Sequence, residues 1–130
     1  MVTILLDTHV VHWWSAEPER VSQTATEALS SADELAVADV TWWELAWLAR
    51  HDRIAVAVPL GTWLSQLAGR VRTVPITPAI ASTAANLPDR FPRDPADRLI
   101  YATAIEHGWR LVTKDVSMRK HRHPRPIAVW

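Results

Sequence analysis

The chain has 130 residues, 48 % of them hydrophobic, with 14 Lys plus Arg balanced by 14 Asp plus Glu. That length fits one domain over residues 1–130, and zero net charge leaves any grip on nucleic acid to a local patch. The absence of cysteine excludes a disulfide framework, a thiol nucleophile and Cys-ligated zinc, and it agrees with a cytoplasmic setting.

Val2 to Leu6 is a continuous apolar run that predicts a strand buried on both faces, as in a parallel sheet. It is too short for a signal peptide or a membrane span, and Asp7 interrupts it, so no membrane partner is expected. Val10, Val11, Trp13 and Trp14 read as a helix closed by Glu17-Pro18, and Ser22 to Ala32 as a second helix. Leu35 to Ala38 is a second strand, ended by Asp39. Val40 to Arg50 is a helix, Arg53 to Val58 an irregular or hairpin stretch, and Leu60 to Leu67 a helix ended by Gly69. Thr73 to Ile76 predicts a third strand, and Thr77-Pro78 caps a helix to about Asn86. Leu87 to Arg93 is a loop. Asp94 then caps a helix with Pro95 at its first position, and Gly108 stops it. Arg110 to Thr113 and Ile127 to Val129 complete the strands.

Strands alternating with helices predict an α/β fold: a central, mainly parallel sheet with helices on both faces. Sites in such sheets form outside the carboxyl ends of the strands. Asp7 and Asp115 follow the first and fourth strands, Glu44 lies in the first turn after the second, and Asp94 and Asp97 open the helix that leads to the fourth. These five carboxylates are therefore expected on one edge. Two carboxylates about 4 Å apart repel by roughly 4 kcal/mol at an effective dielectric near 20, so such a cluster raises its own pKa values or recruits a cation. Oxygen donors without Cys or a His pair select Mg²⁺ or Mn²⁺ over zinc. Thr8 and Thr113 add hydroxyls beside Asp7 and Asp115. Each acid also has a local explanation: Thr41-x-x-Glu44 has the form of a capping box, Asp7 and Asp94 of helix caps, Asp115 of a turn residue. None of those explanations requires a shared edge. The histidines show no metal spacing, His121-x-His123 being the nearest approach to a zinc pair.

Four blocks, Leu5-Leu6-Asp7-Thr8-His9, Trp43-Glu44-Leu45, Asp94-Pro95-Ala96-Asp97-Arg98-Leu99-Ile100 and Leu111-Val112-Thr113-Lys114-Asp115, together resemble those of the PIN domain, most closely the VapC-type toxins of bacterial toxin–antitoxin pairs. The resemblance spans about Val2 to Val129. It implies a three-layer α/β sandwich, a Mg²⁺- or Mn²⁺-dependent endoribonuclease, a cognate antitoxin that covers the site, and a toxin homodimer. By block, Asp7, Glu44, Asp97 and Asp115 match the acidic quartet of metal ligands, and Asp94 the extra aspartate of a subgroup. Ser117 departs from relatives that carry another acid there, which bears on a second metal.

Arg119, Lys120 and Arg122 belong to a basic run suited to gripping an RNA backbone, although a solvated loop would look the same. Arg98 and Lys114 lie nearer the acids and could meet a scissile phosphate. The helix from Val40 is apolar nearly all round. Trp43 and Trp47 share one face and Trp42 points about 100° away, so either is expected to contact another chain, unless Trp42 packs under the neighbouring helix. Two other classes compete: a phospho-receiver-like signalling domain, and a PIN-like module that binds RNA or protein without cleaving.

Overall fold

Five short strands make one sheet in a computed structural model that describes residues 1–122 and 124–130. His123 lies outside the described residues, and with it the His121-x-His123 pair. In chain order the elements are β1 (Thr3–Leu6), α1 (Thr8–Ala16), a 3₁₀ turn (Pro18–Arg20), α2 (Gln23–Ser31), β2 (Glu34–Ala38), α3 (Val40–Arg50) and α4 (Leu60–Ala68). Then come β3 (Arg72–Val74), α5 (Pro78–Ala85), α6 (Pro95–His107), β4 (Arg110–Val112), α7 (Val116–Lys120) and β5 (Ala128–Val129).

The strand order is β3-β2-β1-β4-β5 and every pairing is parallel. Ile4 pairs with Leu35 on one side and Arg110 on the other, so β1 is central. The side-chain period of two splits the core into layers. Ile4, Leu6, Val37 and Val112 pack with Val10, Val11, Leu29, Leu45 and Leu67 from α1 to α4. Leu5, Ala36, Ala38 and Leu111 pack on the other face with Ile100, Tyr101 and Ala104 of α6 and Met118 of α7. Ile80 and Ala84 of α5 pack on Ala102, behind α6. This is the expected sandwich. The chain steps from β1 out to β3, then returns past β1 to β4 over the opposite face. That reversal opens a crevice between the carboxyl ends of β1 and β4.

Local chemistry sets the helix ends. Ser22 Oγ and Thr77 Oγ1 accept from Ala25 N and Ile80 N, three residues on. Asp94 accepts from Asp97 N at 3.2 Å, Pro95 occupies the first turn of α6, and Gly108, at φ +70°, closes it in the left-handed region that favours glycine. Beyond shifts of a residue or two at element ends, three features differ from the sequence reading. The third strand is Arg72–Val74, so Ile76 lies beyond it and donates its N–H to Asp39 Oδ2. The 3₁₀ turn is additional. Residues read as the start of a basic loop form α7, which Asp115 caps by accepting from Met118 N at 2.9 Å.

Candidate active site

Asp7 stands where β1 gives way to α1, and its N–H donates to Val112 O of β4 at 3.0 Å. Both carboxylate oxygens are engaged: one accepts from Thr8 N at 2.8 Å, the other from Thr113 Oγ1 at 2.7 Å. Thr113 also accepts from Asp115 N at 3.0 Å, so one fully buried hydroxyl couples the ends of β1 and β4. Thr8 Oγ1 donates to Glu44 Oε1 and lies 3.4 Å from Thr41 Oγ1, which ties α1 to α3. The capping-box explanation of Glu44 fails here, because α3 begins at Val40 after Asp39 and Thr41 is buried within the helix.

Asp7, Glu44, Asp94, Asp97 and Asp115 all line one cleft of about 660 Å³, with Thr8, His9, Trp13, Arg20 and Lys114. The electrostatics follow from crowding. Burial raises the Asp7 carboxyl, against the opposing hydrogen bonds from Thr113 and Thr8, and Asp115 adds to the rise. Burial also raises Glu44, with Asp7 and Asp94 adding repulsion. Asp97 is pushed up to about 7, first by burial and then by Asp7, Asp94, Glu44 and Asp115. An acid that feels four others sits at the focus of the cluster.

The expected approach to metal-bridging distance is not met. Among the described residues no three His, Cys, Asp or Glu side chains stand ready-made to hold an ion. Mutual repulsion and local anchoring account for this: Asp7 is tied to Thr8 and Thr113, Glu44 to Thr8, Asp94 to the Asp97 N–H and Asp115 to the Met118 N–H. The acids and threonines of the cleft offer carboxylate and hydroxyl oxygen, with the His9 imidazole beside them, a set dominated by oxygen that fits a hard divalent cation.

Arg98 does not line this cleft, contrary to its expected place near a scissile phosphate. Its guanidinium donates to Pro92 O, Ala84 O, Leu87 O, Pro88 O and Phe91 O at 2.9–3.4 Å. It braces the loop that leads into Asp94. Lys114 is on the cleft, with its Nζ 5.8 Å from the Trp13 ring centroid. Arg20, which sequence reading missed, approaches the same ring at 4.8 Å. Its 3₁₀ turn carries no periodic signal that would have announced it. Lys120 and Arg122 line a separate cleft, and Arg119 is exposed on α7.

The tryptophans of α3 divide. Trp42 is half-buried against the core cluster that includes Ala25 and Leu29, and it donates Nε1–H to Thr73 Oγ1 of β3 at 3.0 Å. Trp43 is 65 % exposed and Trp47 40 %, with Trp47 stacked on His51 at 4.0 Å. The outward face is therefore the Trp43–Trp47 one.

An all-parallel sheet with an acidic crevice at its strand reversal defines an α/β site protein, and the PIN-domain family model matches residues 4–124: the chain belongs to the PIN-domain family. Ribonuclease VapC22 of Mycobacterium tuberculosis is 65 % identical to it over 130 residues, covering 100 % of both chains, which places it with the VapC group. Solved structures of like fold include a toxin–antitoxin complex from Klebsiella pneumoniae, at 22 % identity and TM-score 0.69 over 98 % of this chain and 96 % of that one. VapBC2 from Rickettsia felis, bound to a DNA fragment from its promoter, gives 15 % identity and TM-score 0.70 over 98 % and 97 %. At those identities the likeness speaks to fold. The phospho-receiver alternative is set aside: receivers use strand order 2-1-3-4-5, not the order found here.

Proposed function

We propose that residues 1–130 act as a single PIN unit, a ribonuclease toxin that hydrolyses RNA at the acidic cleft with Mg²⁺ or Mn²⁺. The observation that carries this reading is the convergence of five carboxylates from four segments on the β1–β4 crevice, where Asp97 is pushed up to about 7. The 65 % identical relative, named a ribonuclease, supports the substrate class.

Asp7, Glu44, Asp97 and Asp115 would hold the cation, with Asp94 at the exposed rim. When bound, the cation neutralises phosphodiester charge and lowers the pKa of a water. The chain's own contribution is orientation and proton handling. Thr113 fixes Asp7 relative to Asp115, and Thr8 fixes Glu44 relative to Asp7. A cluster carboxylate accepts the proton of the attacking water. Lys114 and Arg20 supply the positive charge nearest the cleft for the RNA backbone. A cognate antitoxin would silence the site, as the toxin–antitoxin relatives suggest, and the Trp43–Trp47 face would meet that antitoxin or a second copy in a homodimer. The reaction would take place in the cytoplasm; among the described residues no helix is long and apolar enough to cross a membrane.

The test is cleavage of labelled RNA by the purified chain. EDTA should abolish it and Mg²⁺ or Mn²⁺ should restore it. Undiminished cleavage in EDTA would overturn the metal assignment, and binding without cleavage in either metal would favour the non-cleaving module.

A further inference from the structure

A second cleft, of about 550 Å³, is lined by Arg90, Phe91, Ser117, Lys120, His121 and Arg122. Among the described residues no carboxylate lines it. Arg90, Lys120 and Arg122 are all exposed, and none forms an ion pair among the described residues. Asp89 neighbours Arg90 in the chain but stays out of the lining. Three unneutralised cations around one concavity, on a chain of zero net charge, form a local anion site.

The walls are built rather than loose. Arg90 sits on the loop that Arg98 of α6 braces, through hydrogen bonds to Pro88 O at 3.2 Å and Phe91 O at 3.4 Å on either side of it. Lys120 and Arg122 flank His121, whose carbonyl accepts from Tyr101 Oη, also on α6, at 3.2 Å. The Phe91 and His121 rings meet edge to face at 5.3 Å, closing the floor between the two walls. The same two segments also run into the acidic cleft. The Arg90 loop continues to Asp94, and α7, capped by Asp115, ends at Lys120, about 7.5 Å further along a helix axis. Thus α6 carries Asp97 and, through Arg98 and Tyr101, holds the basic walls at a fixed offset from it.

We infer that this basic cleft binds the backbone phosphates of single-stranded RNA beside the one at the acidic cleft, so that the substrate spans both. This rests on the RNA-cleaving reading above. RNA is favoured over an acidic protein segment because phosphates need only closely set cations, and the fixed offset from a proposed phosphodiester site suits a repeating charged backbone.

The experiment measures RNA affinity by fluorescence anisotropy in EDTA, so that binding is read without turnover, over a range of salt. Wild type is compared with Arg90→Ala, Lys120→Ala, Arg122→Ala and the triple variant, on a twelve-nucleotide RNA and on a dinucleotide competitor. The three side chains are exposed, so melting temperatures should match wild type. The triple variant is expected to lose at least about tenfold in affinity for the long RNA. Its log–log salt slope should fall by about 0.7 for each phosphate that the protein no longer neutralises. The dinucleotide's phosphate, repelled by the metal-free acids, should compete for the basic cleft of wild type and far more weakly with the triple variant. Unchanged affinity and slope in a folded triple variant would overturn the inference. So would loss of binding to a co-expressed protein partner with RNA affinity intact, which would make the cleft a protein site. A wild type that binds RNA through these residues yet never cleaves it would sustain this inference while removing the ribonuclease reading.

Discussion

The two clefts lie on the same two segments and differ in how their charges are kept. In the acidic cleft Asp7 is only 9 % exposed, Glu44 and Asp97 are half-buried, and like charges face one another. Burying unpaired like charges costs folding free energy. Helix capping does not require that cost, since Ser22 and Thr77 cap α2 and α5 with uncharged side chains. In the basic cleft the cations are exposed and cost almost nothing. Their placement gains meaning only from the bracing by Arg98 and Tyr101 and from continuity with the acids. Burial against electrostatic interest therefore points to function by itself, whereas exposed charge needs a geometric argument.

Several substitutions can break or sharpen that contrast. The largest effect is expected at the acidic focus: Asp7→Asn and Asp97→Asn, each near-isosteric, should lower RNA cleavage at least about a hundredfold in Mg²⁺. Steady-state cleavage checks this, with circular dichroism to show the fold intact. Next is Arg98→Ala, which leaves several loop carbonyls without their donor. It should cost about 2–3 kcal/mol in denaturant unfolding, with Arg98→Lys recovering only part because an ammonium cannot serve the spread of acceptors. Thr113→Val removes one hydroxyl that serves both Asp7 and the Asp115 N–H. It should cost about 1–2 kcal/mol, read by the same unfolding curves, and lower cleavage with it. The smallest effect is expected at Trp43→Ala, within about 0.5 kcal/mol of wild type in stability. Loss of partner binding by that variant, measured by sedimentation, would mark the outward face of α3 as an interface.

Much of this arrangement could be read from local sequence, and the exceptions share a cause. Asp7, Asp94, Asp97 and Asp115 were legible because each ends a strand or opens a helix, and the strand-end rule brings such positions together. The split between Trp43–Trp47 and Trp42 followed from 100° per residue. Glu44 was legible from the strand-end rule as well, although a capping-box pattern competed for it; that pattern does not hold because α3 begins at Val40, one residue ahead of Thr41. Arg98 was misplaced because its partners are carbonyls from Ala84 to Pro92, and no side-chain pattern advertises a backbone acceptor. The five-residue α7 is too short to show periodicity, and Arg20 reaches the cleft only through a 3₁₀ turn. What escaped was contact between segments with no periodic signature.

On the proposed function the acidic cluster is kept for a cation and for hydrolysis, not for the stability of helix ends. For Asp97 the sign is definite. Its folded pKa of about 7 lies above the ordinary 3.8, so the native state binds more protons than the unfolded chain between those values. Stability contributed by the protonated group is then lost as pH rises through that window. The decisive measurement is the melting temperature of wild type and Asp97→Asn at pH 5 and pH 8, without metal and with Mg²⁺, beside RNA cleavage by the same samples. Metal-free wild type should lose stability toward pH 8 more steeply than Asp97→Asn. Mg²⁺ should raise the melting temperature of wild type more than that of the variant, and only wild type should cleave. An Asp97→Asn protein that is less stable at both pH values, indifferent to Mg²⁺ and fully active would contradict the proposed function.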